Sequence, residues 1–402
     1  MRIQMDNTIL SEKILQAIDI LNEKNIDMWL TFVRESSINH DPAMDMVVGT
    51  NSTWQAAFII NKDGDTTAIV GDMEEENFKR EGLYKNVIGY LKSIKEPFVN
   101  YLSQKNPESI AINHSKNSVL ADGLTYGMYQ VLLEHLRGTD FIKRLVSSEE
   151  IISALRGRKS QSELNIMKEA IGETLKIFNE TKSFIKPGVT EIEIANRVKS
   201  IVDERGFELG WEESHCPAVF AGPTPNGPHS GPSDKKIEKG TMVNMDFGIK
   251  YKGYCSDLQR TWYVLNDDKD SVPEAVQKGF EIIRDSIRMV ADKLKPGVRG
   301  IDMDTIARDY ITSNGYPEYP HGLGHQVGRT VHDGVAGLFP DWERYGEAPF
   351  MELEEGQIFT IEPRLPVEGF GISTLEEEVY LTKDGCEFIS EPQSELMLIK
   401  AD

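Results

Sequence analysis

The chain has 402 residues, and 65 acidic against 44 basic side chains leave a formal net charge of −21 at pH 7. This acidity argues against binding to nucleic acids or anionic membranes, both of which favour a basic face. A hydrophobic content of 39% supports packed cores, while three scattered cysteines, no long apolar run and no signal-like N-terminus favour a reduced, cytoplasmic protein.

The first 150 residues alternate segments with helical and with strand-like patterns. Four segments carry the patterns: Leu10–Leu21 and Leu120–Leu136 as helices, and Ala56–Ile60 and Thr66–Val70 as the strands of a hairpin. This alternation predicts an α/β domain over residues 1–150. We expect no catalytic cluster in it, because its three histidines are isolated in sequence: His40, His114 and His135.

A second domain is predicted over residues 155–402, beginning with a long helix. Ser160 and Glu163 have the spacing of a capping box, and apolar residues follow at helical intervals. An internal repeat lies within this domain: Lys186-Pro187-Gly188-Val189 recurs as Lys295-Pro296-Gly297-Val298, and Gly206 matches Gly315. The repeat is either a chance similarity between two helix starts or a duplicated half-domain. A duplicated half-domain would enclose a site at the junction of its halves.

Two pairs of acidic residues indicate a metal site in the second domain. If a two-residue turn is centred between residues 251 and 252, Asp246 and Asp257 lie directly opposite each other on paired strands. Glu362 and Glu376 are likewise opposite across a hairpin centred on Gly369. Facing carboxylates repel each other unless a cation lies between them. Each pair alone is also compatible with a solvated acidic strand.

The histidines strengthen the prediction of a metal site at the acidic pairs. His325 lies between the two pairs in sequence, and four carboxylates with one imidazole suit a pair of Mn²⁺, Co²⁺, Fe²⁺ or Zn²⁺ ions better than one structural zinc. Other histidines lie in glycine- or proline-rich loops: His229, His321 and His332. The spacing of His321 and His325 does not form the helical zinc motif HExxH, because glycines interrupt it and no glutamate follows His321.

These motifs identify a family resemblance over nearly the whole chain. They are Asn226-Gly-Pro-His229, Asp246-Phe-Gly, Gly253-Tyr-Cys-Ser-Asp257-Leu-Gln-Arg-Thr261, His321-Gly-Leu-Gly-His325, Val331-His332-Asp333, Ile361-Glu362-Pro363 and Leu375-Glu376-Glu-Glu-Val379. The chain resembles the pita-bread metallopeptidases, in the branch of Xaa-Pro aminopeptidases and prolidases. The resemblance implies an α/β (α+β) protein with an N-terminal creatinase/prolidase-like domain and a C-terminal pita-bread domain of pseudo-two-fold symmetry. It also implies a homodimer.

The resemblance further implies that the site binds two divalent metal ions, with manganese as the first candidate and cobalt, zinc or iron as alternatives. By position, Asp246 binds one ion, His325 and Glu362 bind the other, and Asp257 and Glu376 bridge both. The expected reaction is hydrolysis of the N-terminal peptide bond of a small peptide, by an aminopeptidase or a dipeptidase, through a hydroxide shared by the two ions.

Four residues are expected to assist that reaction. Glu362 accepts the proton of the water molecule, His321 and His332 bond the substrate and the developing oxyanion, and His229 assists the leaving proline nitrogen. A purely structural role for the three histidines is the alternative.

One departure from the family puts the proline specificity in question. Proline-specific members usually carry an arginine two residues before the second bridging glutamate, where this chain has Thr374, and Arg364 stands where the family commonly has glycine. Two alternative functions stay open: a metal-dependent hydrolase or lyase of a small non-peptide substrate, and a binding module without activity. The complete set of five predicted ligands argues against the binding module.

Overall fold

The computed structural model of the chain describes residues 7–223, 231–266 and 271–400. The chain forms two compact units, Met1–Arg156 and Gly157–Asp402. No helix in these described ranges is both long enough and apolar enough to cross a membrane.

The first unit is a six-stranded sheet with helices on both faces. Its helices are α1 (Asn7–Glu23), α2 (Met44–Val47), α3 (Asp72–Glu81), α4 (Lys95–Lys105), α5 (Tyr126–Leu136) and α6 (Glu149–Gly157). Its strands are β1 (Met28–Val33), β2 (Ala56–Asn61), β3 (Thr66–Gly71), β4 (Asn86–Tyr90), β5 (Ile110–Ile112) and β6 (Leu145–Ser147), in the order β4-β3-β2-β1-β5-β6.

The first unit has two hydrophobic cores because side chains alternate between the faces of its sheet. In β1, Trp29 and Val33 pack with α1, whereas Leu30 and Phe32 pack with α4 and α5. The predicted hairpin is confirmed, since β2 and β3 pair in antiparallel fashion. The second predicted helix began too early: α5 starts at Tyr126 because Thr125 caps it, its hydroxyl accepting a hydrogen bond from the N–H of Met128.

The second unit combines two helix pairs with small sheets. Its helices are α7 (Gln161–Lys182), α8 (Glu191–Glu204), α9 (Glu274–Ala291) and α10 (Gly300–Ser313). Its strands are β7 (Glu208–Leu209), β8 (Ala218–Ala221), β9 (Met242–Phe247), β10 (Ile249–Tyr251), β11 (Tyr254–Cys255), β12 (Leu258–Val264), β13 (Ile358–Ile361), β14 (Arg364–Val367), β15 (Gly371–Thr374), β16 (Glu377–Leu381), β17 (Cys386–Phe388) and β18 (Met397–Ile399).

The strands of the second unit form four sheets, with the orders β18-β12-β9-β8, β11-β10-β7, β13-β16-β17 and β14-β15. Helices α7 and α8 share a core with β8, β9 and β12, and helices α9 and α10 share a second core with β13, β14 and β16. The predicted capping box is present, because Ser160 and Glu163 each bond the other's backbone N–H.

The sequence repeat corresponds to equivalent turns in the two helix pairs. One Lys-Pro-Gly-Val turn joins α7 to α8 and the other joins α9 to α10, with positive φ values at Gly188 (88°) and Gly297 (84°). The N–H of Gly188 donates to Ile237 O, and the N–H of Gly297 donates to Leu353 O, so each turn is held by a later segment of its own half. These matching contacts favour duplication over chance similarity.

Candidate metal centre

A row of polar side chains crosses four neighbouring strand segments of the second unit. Asp246 in β9 pairs with Gln259 in β12, and Gln259 forms an isolated bridge with Glu376, just before β16. The β13–β16 ladder ends at Ile361 and Glu377, so Glu362 and Glu376 are the next positions of the two chains. Because residues directly opposite each other point to the same side of a sheet, these four side chains share one face.

The predicted pairing of Asp246 with Asp257 is wrong. Lys252 and Gly253 both have positive φ, 48° and 86°, and form the two-residue turn, so Tyr251 pairs with Tyr254 and Asp246 faces Gln259. Asp257 lies two residues before Gln259, in the break between β11 and β12. Residues two apart along an extended chain point to the same side, so Asp257 still reaches the face that carries Asp246.

The predicted register of the second acidic pair is confirmed by the ladders on either side of it. Arg364 pairs with Thr374 in the β14–β15 ladder, and Ile361 pairs with Glu377 in the β13–β16 ladder. Glu362 and Glu376 lie in the gap between these ladders, at the positions that the same register places opposite each other.

All five predicted metal ligands line one cavity of about 660 Å³. His321 and His332 line it as well. Its wall also has an aromatic and aliphatic part, formed by Trp211, Phe220, Val331, Phe339, Tyr345 and Ile372. His229 falls outside the described residues. The structure therefore brings seven of the eight predicted site residues together.

One group of three side chains has its ligand atoms within 4.8 Å of one another: Asp257, His325 and Glu376. His325 Nε2 is 3.2 Å from Glu362 Oε1 and 3.7 Å from Asp257 Oδ2. On the other side of the ring, Nδ1 lies 3.3 Å from the carbonyl oxygen of Gln326, to which it must donate because a carbonyl only accepts. This bond leaves Nε2 facing the carboxylates, where it carries a proton toward Glu362 when His325 is charged and would offer its lone pair to a bound metal ion, the arrangement typical of metal-ligating histidines.

The electrostatics of the carboxylates fit a bound cation. Burial and the charge of Glu362 raise the pKa of Asp246 to about 7. Burial and the neighbouring carboxylates also raise the pKa values of Asp257 and Glu376 well above their usual range. Oδ1 of Asp246 and Oε2 of Glu376 are buried without a hydrogen-bond partner among the described residues. Buried oxygens without donors are costly unless a cation satisfies them, so this donor set suits divalent metal ions.

Glu362 differs from the other acids in its surroundings. Burial acts to raise its pKa, but the hydrogen bond and charge of His325, with His321 and His332 nearby, lower it overall. Its Oε1 also accepts a hydrogen bond from the Thr360 hydroxyl, at 3.3 Å. Glu362 is therefore the carboxylate of the group held most firmly in its ionised form.

Three further residues support the predicted ligands, a role that the sequence did not reveal: Gln259, Thr374 and Glu378. The amide of Gln259 lies 3.4 Å from Glu362 Oε2 and 3.5 Å from Asp246 Oδ2, and its oxygen accepts a hydrogen bond from Thr374. Glu378 Oε1 accepts the backbone N–H of Asp257 at 2.7 Å. The spacing of two residues from Asp257 to Gln259 and from Glu376 to Glu378 was the available signal.

His321 and His332 offer different chemistry to the cavity. His321 Nδ1 donates to the carbonyl oxygen of Gly322 at 2.8 Å, and burial lowers the pKa of His321, so Nε2 of the neutral ring is a hydrogen-bond acceptor. His332 contacts the ring of His325 edge-on, with 4.3 Å between ring centroids. The His321 backbone is held by Arg308, which bonds its carbonyl oxygen at 2.9 Å and forms a buried ion pair with Asp304.

The comparisons with known proteins match the chain to a family of metallopeptidases. A model of the metallopeptidase family M24 matches residues 165–383, which include the five predicted ligands. The uncharacterized peptidase YqhT of Bacillus subtilis is 30% identical over 279 residues, covering 69% of this chain and 73% of that protein. The Xaa-Pro dipeptidase of Pyrococcus horikoshii is 27% identical over 390 residues, covering 97% of this chain and 99% of that protein.

A solved structure extends the similarity to the fold of the whole chain. The Xaa-Pro dipeptidase from Bacillus anthracis has 26% sequence identity and a TM-score of 0.71, covering 97% of this chain and 100% of that chain. Together with the repeated helix pairs and mixed sheets, this likeness confirms the α/β fold class and the pita-bread architecture that the sequence predicted.

Proposed function

The chain belongs to the metallopeptidase family M24, and on this basis we propose that it hydrolyses the N-terminal peptide bond of small peptides with proline in the second position. Membership makes the chain a metal-dependent peptidase. The choice of substrate is supported by two proteins similar to this chain, both of them Xaa-Pro dipeptidases. The single observation that carries the proposal is the buried group of four carboxylates and one imidazole at the cavity.

We propose that the site binds two divalent ions, with manganese as the first candidate. Asp246 would hold one ion and His325 with Glu362 the other, while Asp257 and Glu376 would contact both. Four carboxylates carry a charge of −4, which two divalent ions would neutralise. When bound, such ions polarise a carbonyl group and lower the pKa of a water molecule to near neutrality.

The chain's own residues would supply the proton transfers and the orientation of the substrate. Glu362 would accept a proton from the attacking water, because it lines the cavity beside His325, with its Oε1 3.2 Å from Nε2. His332 would donate to the developing oxyanion, and His321, with Nε2 as an acceptor, would bond an N–H group of the substrate. The apolar wall formed by Phe339 and Tyr345 would exclude water from the reacting bond.

The test is a peptide panel with metal-stripped protein. Mn²⁺, Co²⁺ or Zn²⁺ is added back, and hydrolysis of Xaa-Pro dipeptides, Xaa-Pro tripeptides and matched peptides without proline is measured. We expect metal-dependent cleavage with a preference for proline in the second position. Hydrolysis of none of the peptides with any of the metals would overturn the proposal, and equal cleavage without proline would overturn its specificity.

A pair of variants tests the role of the buried carboxylates. Asp257→Ala is expected to abolish turnover and to lower the metal content, measured by elemental analysis. Asp302→Ala removes an exposed carboxylate on α10 and is expected to leave both unchanged. Full activity in Asp257→Ala would contradict the proposed bridging role. The cytoplasmic location and the homodimer stay predictions of the sequence.

A further inference from the structure

Arg364 is a cation in the wall of the metal cavity that has no ion-pair partner among the described residues. It begins β14, and its half-buried side chain lines the cavity together with Glu362 and Thr374. Within residues 7–223, 231–266 and 271–400, its guanidinium forms neither a hydrogen bond nor an ion pair. The charge of Glu362 acts on it, and its own charge helps to lower the pKa of His321. Other enclosed arginines in this unit do bond carboxylates: Arg158 with Glu354, Arg260 with Glu377 and Arg308 with Asp304.

The physical chemistry of guanidinium points to a ligand for Arg364. Burial removes water from the five N–H donors of an arginine, and this cost is ordinarily offset by acceptors held in a fixed geometry. The fork of the guanidinium matches a carboxylate in a bidentate arrangement. An arginine left without acceptors in the wall of a cavity is therefore suited to an anionic group of the bound molecule.

The position of Arg364 also sets the distance to that group. Arg364 is two residues beyond Glu362, and its cross-strand partner Thr374 is two residues before Glu376. Two residues of extended chain span about 6.6 Å, so the Arg364 side chain leaves the backbone in the layer next to that of the carboxylates. An extended dipeptide is at most about 7 Å long, so its C-terminal carboxylate falls in that layer when its N-terminal residue lies at the carboxylates.

Resting on the proposed function, we propose that Arg364 binds the C-terminal carboxylate of the substrate and makes the enzyme a dipeptidase. With the two ions neutralising four carboxylates, the charge of Arg364 is left to balance the −1 of the dipeptide terminus. A longer peptide would place a neutral peptide bond at this point and its carboxylate farther from the ions. The guanidinium would then bury its charge without an anion, which disfavours that substrate.

The test compares substrates that differ only at the C-terminus. Leu-Pro, its amide Leu-Pro-NH2 and the tripeptide Leu-Pro-Gly are assayed with the metal-loaded wild type, Arg364→Met, Arg364→Lys and Arg288→Met. We expect the wild type to favour Leu-Pro over the amide by about 10- to 100-fold in kcat/KM, the range of a charge-assisted hydrogen-bonded pair. Arg364→Met is expected to lower kcat/KM for Leu-Pro to that for the amide and to leave the amide's value unchanged.

The control variants distinguish the loss of the Arg364 charge from a loss of the fold. Arg364→Lys keeps the charge and is expected to retain part of the preference, whereas Arg288→Met removes an exposed charge on α9 and keeps all of it. Thermal unfolding identifies a variant that has lost its fold, and Arg364→Gln replaces Arg364→Met in that case. A preference that survives the loss of Arg364, or a wild type that cleaves the amide and the tripeptide as well as Leu-Pro, would overturn the inference while leaving the peptidase function intact.

A binding measurement distinguishes a failure of the proposed peptidase function from a failure of the inference about Arg364. Calorimetry compares L-proline with L-prolinamide on the metal-loaded protein, with and without Arg364→Met. If no peptide is hydrolysed, the proposed function fails, but tighter binding of L-proline that depends on Arg364 still supports the carboxylate site. Equal binding of the acid and the amide by the wild type overturns it.

Discussion

Replacing Glu376 with glutamine is expected to stabilise the metal-free protein. Donor atoms of Glu376 and Asp257 lie within 4.8 Å, and at this distance two unit charges repel by about 3 kcal/mol at an effective dielectric constant of about 20. The raised pKa values mean that the carboxyls take up protons and relieve part of this repulsion. We therefore expect a gain of about 1–3 kcal/mol, or about 2–10 °C in the melting temperature of a unit of this size.

The assay is calorimetric unfolding in excess chelator and then in excess Mn²⁺. At 100 times its dissociation constant, a metal ion stabilises the wild type by about 2.7 kcal/mol, whereas Glu376→Gln has lost a ligand and gains less. The order of the two melting temperatures is expected to reverse when metal is added. The pKa of Glu376 in the folded protein lies above 4.5. The wild type in chelator therefore loses stability as the pH rises above 4.5, and the difference between its melting temperature and that of Glu376→Gln grows.

The adjacent residue is a matched control with the opposite expected sign. Glu377 pairs with the buried Arg260 at 3.1 Å, and removing one partner of a buried ion pair costs about 3–5 kcal/mol. Glu377→Gln should therefore melt lower than the wild type, both in chelator and in metal. A metal-free Glu376→Gln protein less stable than the wild type, or equal metal stabilisation of the two, would refute the electrostatic account of the site.

Three further substitutions test the support of the site. Thr374→Val removes the hydroxyl that orients Gln259 and should weaken metal binding about 10- to 100-fold in a competitive titration, so unchanged affinity would contradict this role. Asp304→Asn breaks the pair with Arg308 and should cost about 3–5 kcal/mol in urea unfolding, and an unchanged midpoint would argue against it. Gly324→Ala would place a Cβ 1.9 Å from a carbonyl oxygen of β13, so it should lower both melting temperature and metal affinity, and a wild-type melt would disprove that packing.

Local features of the fold were readable from sequence because neighbouring residues determine them. The capping box of Ser160 and Glu163 formed as predicted, since the residues that bond lie within one helical turn. The register of Glu362 and Glu376 followed from a hairpin whose strands lie close together in the chain. The start of α5 was missed because apolar spacing continues past the residue that caps the helix.

The register of the first acidic pair depended on a backbone conformation that residue types left open. A turn centred one residue earlier would place Asp246 opposite Asp257, but the positive φ values of Lys252 and Gly253 place it opposite Gln259. The aspartates nevertheless line one cavity, because a shift of two residues keeps each side chain on its face. All five predicted ligands therefore line the cavity, although the predicted pairing of Asp246 with Asp257 is wrong.

The sequence by itself was enough to predict which acidic and histidine side chains form the candidate site, because the prediction rests on residue types and their spacing along the chain. Only the tertiary structure decided how they meet. The bridge between Gln259 and Glu376 joins segments more than 100 residues apart, and it aligns Asp246 with the second acidic pair. The tertiary structure also placed Arg364 in the wall of the same cavity, where its charge has no partner among the described residues. Such neighbours come from packing across the whole unit, and a local pattern cannot specify them.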